Sequence, residues 1–129
     1  MEKYQNTSLS PEERAQDLLS RMDLTEKVRQ LGCTMALPML PVEQQDLRGG
    51  IGASIVMGSS DTPKDIRNIQ TYIMEHSPHH IPALFHNEAL AGTCAVLGSN
   101  QYPISIGLGA SFAPELVEEM CKITRQQML

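Results

Sequence analysis

Gly49-Gly50-Ile51-Gly52-Ala53-Ser54-Ile55-Val56-Met57-Gly58 is a short apolar run set between glycines, and Ser59-Ser60-Asp61-Thr62-Pro63 comes directly after it. Its length and β-branched content predict a buried strand near 53–57. The polar loop behind it ends in an N-cap and a proline preset for the first helical turn. Ile66, Ile69 and Ile73 then share one face of a helix predicted over 63–75. A turn at His76 to His80, containing Pro78, leads to Ile81-Pro82-Ala83-Leu84-Phe85, a second buried strand near 82–86. Ile104-Ser105-Ile106-Gly107-Leu108-Gly109-Ala110 is a weaker third strand, near 104–110. Pro114 and Glu115 open a last helix over 114–128, with Leu116, Val117, Met120 and Ile123 apolar and no terminating residue before Leu129. Strand, helix, strand, loop, strand, helix is the order of an α/β protein with a parallel sheet.

Upstream, Ser10-Pro11-Glu12-Glu13 starts a helix over 11–22: Ser10 caps it, Pro11 fits the first position and Glu13 completes a capping box. Ala15, Leu18, Leu19 and Met22 fall on one face. Asp23 with Glu26 repeats the device for a helix over 24–31, whose apolar stripe is Leu24, Val28 and Leu31 and whose stop is Gly32. From Cys33 to Gly49 no period is visible; Pro38, Pro41 and Glu43-Gln44-Gln45-Asp46 predict loop or irregular turns. No internal repeat, low-complexity tract or linker divides residues 1–129, so they form one domain.

A hydrophobic share of 41% suffices for a core, while aromatics at 4% and the absence of Trp disfavour a free-standing carbohydrate-binding module with an aromatic platform. A formal charge of −5 and the lack of any Lys/Arg run argue against nucleic acid and anionic membrane as partners. Met1-Glu2-Lys3-Tyr4-Gln5-Asn6 is polar, without an apolar segment of signal-peptide length, and no run is long enough to span a bilayer. A cytoplasmic location is the expectation. Cys33, Cys94 and Cys121 are odd in number, far apart and free of C-x-x-C spacing, which predicts reduced, mostly buried thiols.

Several constellations invite a function. Gly49-Gly50-Ile51-Gly52 precedes its strand, whereas a dinucleotide-binding turn comes after one and needs a further glycine. These glycines are better explained by a tight approach to a crowded strand. His76, His79 and His80 suggest a metal cluster, but no carboxylate stands at an offset to join them, so no metal site and no cofactor are assigned. Cys94 with His86 as a nucleophilic pair lacks a third, orienting group. His86-Asn87-Glu88 is different. It directly succeeds the buried run Ala83-Leu84-Phe85, at the C-terminal end of a parallel strand, where ligands bind in barrels and open sheets. Glu88 is either a ligand-binding carboxylate or a cap on the following turn.

With these residues in place, the chain resembles glycoside hydrolase family 3, the family of β-glucosidases and β-xylosidases. Leu9-Ser10-Pro11-Glu12-Glu13-Arg14 with Asp17-Leu18-Leu19-Ser20-Arg21-Met22 is similar to the family's opening helix, and Leu24-Thr25-Glu26-Lys27-Val28 with Gln30-Leu31 to its second. Asn68-Ile69-Gln70 before Ile81-Pro82-Ala83-Leu84-Phe85-His86-Asn87-Glu88-Ala89-Leu90-Ala91-Gly92 is similar to the segment carrying a sugar-contacting carboxylate. Tyr102-Pro103, Ile106-Gly107-Leu108 and Pro114-Glu115-Leu116-Val117 echo the next block. The blocks are collinear over residues 4–121 or so.

The resemblance implies a partial (β/α) TIM-barrel-like N-terminal domain and retaining hydrolysis of O-glycosyl bonds through two carboxylates. Both of those lie beyond the matched stretch, so no residue here is assigned a catalytic role, and the chain is expected to be a truncated piece, inactive alone. Glu88 is the one site residue carried over, as an acceptor from hydroxyls of the non-reducing-end sugar. The implied partners are a β-linked glucoside or xyloside oligosaccharide and the rest of the parent enzyme. Two departures stand out: Ala91 replaces a common His, and Phe112-Ala113 replaces Trp-Asp, which removes an N-cap before Pro114. Two other readings remain open: a non-catalytic sugar-binding or assembly module that pairs with a separate C-terminal piece, and some other α/β-barrel enzyme.

Overall fold

The computed structural model describes residues 2–57, 61–94 and 96–128. Within them α1 (Pro11–Arg21) and α2 (Leu24–Gln30) lead into β1 (Cys33–Ala36), β2 (Ala53–Val56), α3 (Thr62–His76), β3 (Leu84–His86), α4 (Ser105–Ala110) and α5 (Pro114–Met128). The strands form one parallel sheet in the order β1-β2-β3, with Ala53 opposite both Cys33 and Leu84. The chain is thus a mixed α/β protein with a parallel sheet, as expected, although its three strands are not the three that the apolar runs predict.

Local chemistry sets the helix starts. Ser10 Oγ accepts from the Glu13 N–H while Glu13 accepts from the Ser10 N–H, and Asp23 and Glu26 do the same for α2. On α3 the cap is Asp61, which accepts from the Lys64 N–H at 3.2 Å, with Pro63 in the first turn. The expected strand end at Gly58, the loop residues Ser59 and Ser60, and the terminal residues Met1 and Leu129 lie outside the described residues.

Three expectations need correction. Residues 104–110 form no strand; Ser105–Ala110 is a short helix. Alternation with glycine carried the strand reading, yet a strand must borrow a neighbour's hydrogen bonds, whereas here the Leu108 N–H reaches Ile104 O at 3.0 Å within the segment. Cys33–Ala36, expected as loop, is β1, recruited by pairing with β2 and by the burial of Ala36. The thiols are not mostly buried: Cys33 and Cys121 are exposed and Cys94 is half-buried.

The core lies between the sheet and α3. Ala36 and Val56 from the strands meet Ile69, Tyr72 and Ile73 from the helix, with Leu47, Ile51 and Ala83 closing the ends. Ser54, buried in that layer, donates to Thr34 O at 3.2 Å. Gln70 fastens α3 to the approach of β3, accepting from the Ala83 N–H at 3.0 Å and donating to Ala83 O at 3.2 Å. The start of β2 is gripped by Arg29, whose guanidinium donates to Gly50 O at 3.0 Å and to the Asp46 carboxylate at 2.9 Å. Its side chain lies over Gly49, and a Cβ there would collide with it. The glycines before β2 therefore make room for a close approach.

The amphipathic stripes of α1 and α2 form where the spacing predicts them but stay largely uncovered. Met22 is buried and Leu18 half-buried, whereas Leu24 and Leu31 are 77% and 88% exposed. The sheet face away from α3, carrying Met35 and Leu84, is open as well.

Glycine substitutions should separate the crowded positions from the open ones. A Cβ on Gly52 would land on the backbone carbonyl of Gln30, while one on Gly109 in α4 would meet nothing. Gly52→Ala is expected to cost about 2 kcal/mol or more, lowering Tm by roughly 10 °C, whereas Gly109→Ala is neutral or stabilising by up to about 1 kcal/mol. Thermal melts of both variants check this; equal melting temperatures would refute it.

Acid should also weaken the fold. The Arg29 hydrogen bond holds Asp46 below its ordinary carboxylate value, the Arg21 hydrogen bond does so for Asp17, and the Ser10 hydroxyl and N–H do so for Glu13. A depressed folded-state value means that the unfolded chain binds more protons. This stabilisation is therefore fully present above the ordinary carboxylate range, about pH 4 to 4.5, and is lost as pH falls from there through the lower folded-state values. Urea midpoints should fall below about pH 5, and Arg21→Met with Arg29→Met should flatten that limb; an unchanged limb would count against both contacts.

Candidate functional site

The C-terminal ends of β2 and β3 point to the same end of the sheet, and the chain leaves β3 through His86, Asn87 and Glu88. Asn87 organises the loop behind the strand. Its Oδ1 accepts from the Glu88 N–H at 2.8 Å and its Nδ2 donates to Cys94 O at 2.9 Å, while the Cys94 N–H returns to Glu88 O at 2.8 Å. The Tyr102 N–H donates to Ala91 O at 2.9 Å. Gly92, at φ 95°, lies where a Cβ would strike the Asn100 carbonyl, so this turn tolerates no side chain.

Glu88 thus sits on a braced loop with its side chain exposed, and its carboxylate has no hydrogen-bond or ion-pair partner among the described residues. Among the described residues the Glu88 side chain makes no cap on the following turn; Asn87 makes the local bonds. An unpartnered carboxylate offers acceptors only, which suits neighbouring hydroxyls.

Beside this loop, between the sheet end, the start of α3 and the end of α5, is a cavity of about 350 Å³ lined by Val56, Thr62, Phe85, Asn87 and Thr93 among others. Thr93, 3% exposed, and Thr62 each turn a buried hydroxyl oxygen without a hydrogen-bond partner among the described residues. Neither threonine stands out along the chain: Thr62 reads as part of the polar lead into α3, and Thr93 has no polar neighbour on either side. A second groove of about 360 Å³, around Tyr4, Arg14 and His79, lies by Ile81 and Pro82, ahead of β3 and away from Glu88.

The histidine cluster does not converge. His76 stacks on Tyr72 with ring centroids 4.1 Å apart, His79 Nε2 lies 3.3 Å from Glu26, and His80 Nδ1 contacts Met74 O. Among the described residues no three His, Cys, Asp or Glu side chains are placed to hold a metal ion. The imidazole of His86 is not paired with Cys94; its Nε2 lies 3.3 Å from the Sγ of Cys33. No helix of the described residues is long and apolar enough to cross a membrane.

Comparison with known proteins identifies the family. The chain matches the pattern of the glycosyl hydrolase family 3 N terminal domain over residues 23–129. It is 31% identical to a protein named as a beta-xylosidase from Formosa agariphila, over 96% of this chain and 18% of that protein. It is also 31% identical to a periplasmic beta-glucosidase from Salmonella typhimurium, over 94% of this chain and 16% of that protein. The chain therefore spans less than one fifth of the length of these relatives. With a parallel sheet, a braced loop after β3 and a family match over most of its length, the chain belongs to glycoside hydrolase family 3.

Proposed function

We propose that this chain supplies the sugar-gripping part of a β-glucosidase or β-xylosidase active site. The observation that carries this is Glu88, a carboxylate without a partner among the described residues, held at the C-terminal end of a parallel strand by a loop that Asn87 ties shut. In barrels that end of the sheet is the substrate face. The carboxylate accepts from two adjacent hydroxyls of a β-linked glucoside or xyloside, and its charge makes each bond stronger than a neutral one. Hydrolysis with retention uses a nucleophilic carboxylate and a general acid/base on either side of the scissile bond. We assign neither to this chain; Glu88 orients the sugar for carboxylates supplied elsewhere in the parent enzyme.

The remainder of a (β/α) barrel is the partner that the uncovered surfaces suit. Leu24, Val28 and Leu31 on α2 and its C-cap, and Met35 and Leu84 on the sheet face away from α3, are apolar and exposed. Further strands and helices of a barrel, covalently continuous or as a separate piece, bury such surface at about 25 cal/mol per Å². The unpaired thiols of Cys33, Cys94 and Cys121 support a reducing, cytoplasmic setting.

The 129-residue chain alone is expected to release no aryl leaving group from β-glucosides or β-xylosides above background. Turnover by pure protein that vanishes on substituting one of its own acidic residues would overturn the assignment. In the parent enzyme, Glu88→Gln keeps the size and loses the charge-assisted bonds. It should lower kcat/KM by about two orders of magnitude, close to 3 kcal/mol of transition-state stabilisation, with Tm unchanged. A normal kcat/KM with a lowered Tm would make Glu88 a structural residue.

A further inference from the structure

The cavity at the sheet end, by the start of α3, lies on the helix side of the sheet. Val56, Ile66 and Phe85 line it, and all three belong to or pack against the core that α3 covers. This chain therefore walls it, on the side opposite the open face with Met35 and Leu84. Glu88 is not among its lining residues. One wall is apolar, from those three side chains; the other is polar, from Thr62, Thr93 and Asn87, and no described lining residue is an Asp, Glu, Lys or Arg. Thr93 is buried at 3% exposure, and its carbonyl accepts from Ser99 Oγ at 3.1 Å. Yet neither its Oγ1 nor that of Thr62 has a hydrogen-bond partner among the described residues. Asn87 is not free to meet them, because both ends of its amide are engaged in the loop. A buried hydroxyl without a partner is unfavourable, and a valine of equal size avoids it. Two such threonines on one cavity point to a bound group that supplies the missing hydrogen bonds.

We propose that this cavity binds one neutral sugar ring, a free monosaccharide, at a place separate from the Glu88 carboxylate. An uncharged lining disfavours an ionic ligand, which finds no counter-charge there. A volume of about 350 Å³ stands at the small end of ligand sites, roughly 300–1,000 Å³, so it takes a single ring and no oligosaccharide. The C–H face of the ring lies against Phe85, Val56 and Ile66. Each threonine hydroxyl, on turning about its Cα–Cβ bond, both donates to and accepts from the sugar's hydroxyls. Water alone serves such a wall poorly, since a buried water needs about two to four polar partners. The choice of D-glucose or D-xylose as the sugar rests on the glycosidase reading; the site itself uses no contact with Glu88.

The test is an NMR titration of the chain with D-glucose and with D-xylose. At least one of them should bind, and Thr93→Val, which keeps the shape and removes the hydroxyl, should weaken binding about tenfold. Thr93→Ser should restore most of the affinity, and Glu88→Gln should leave it unchanged. Because the hydroxyl is unpartnered without sugar, Thr93→Val should not lower Tm. Binding of neither sugar means that the cavity holds solvent only, and overturns the proposal. Binding that survives Thr93→Val and vanishes with Glu88→Gln overturns it as well, while upholding the Glu88 reading. Conversely, normal kcat/KM in a Glu88→Gln parent enzyme removes that reading and leaves this site standing. Should Thr93→Val fail to fold, Thr62→Val decides by the same criterion, and an unchanged affinity there overturns the proposal.

Discussion

The contact on which the fold depends is the approach of the last turn of α2 to the start of β2. The Gln30 carbonyl occupies the space that a side chain at position 52 would need, and the Arg29 guanidinium lies over Gly49 while bonding Gly50 and Asp46. β2 is the strand paired on both sides, so whatever locates β2 locates the sheet. A side chain at position 52 would push β2 away from α2 and, through Ser54 and Val56, disturb the layer that packs on α3. Position is set here by small residues instead of large ones, because the absence of a Cβ permits close backbone approach.

What was legible in the sequence was local or periodic. Ser10 with Glu13 and Asp23 with Glu26 announce helix starts because a capping box closes within four residues. Ala53–Val56 and the strand before Asn87 announce themselves by apolar runs between turn residues. Cys33-Thr34-Met35-Ala36 gave no such signal; the stop at Gly32 with an apolar stretch before Pro38 was the one hint, and pairing with β2 decides it. Ile104 to Ala110 gave the wrong one, since short alternation with glycine does not distinguish a strand from a helical turn lacking a buried face.

The loop after β3 divides in the same way. The position of Glu88 was legible because its place after a buried strand is a chain-local fact. That Asn87 rather than Glu88 makes the bracing bonds depends on Cys94 folding back, which no pattern along the chain encodes. The meeting of Cys33 with His86 spans 53 residues and two strand boundaries, so it becomes visible only once β1 is known to be a strand. The local chemistry is divided between the two: the neutral amide of Asn87 holds the loop, while the Glu88 carboxylate makes no local hydrogen bond among the described residues.

β1 and β3 each have a neighbour on one side, so their outer edges present backbone donors and acceptors in the direction of the next strand. The strands are short, four and three residues, which limits what one such edge can recruit. A second limit on edge-to-edge stacking of copies is their shared negative charge, −5 in formal terms. Salt weakens that repulsion and leaves the hydrogen-bonding edges untouched. Edge-to-edge association of copies of this chain is therefore expected to rise with ionic strength.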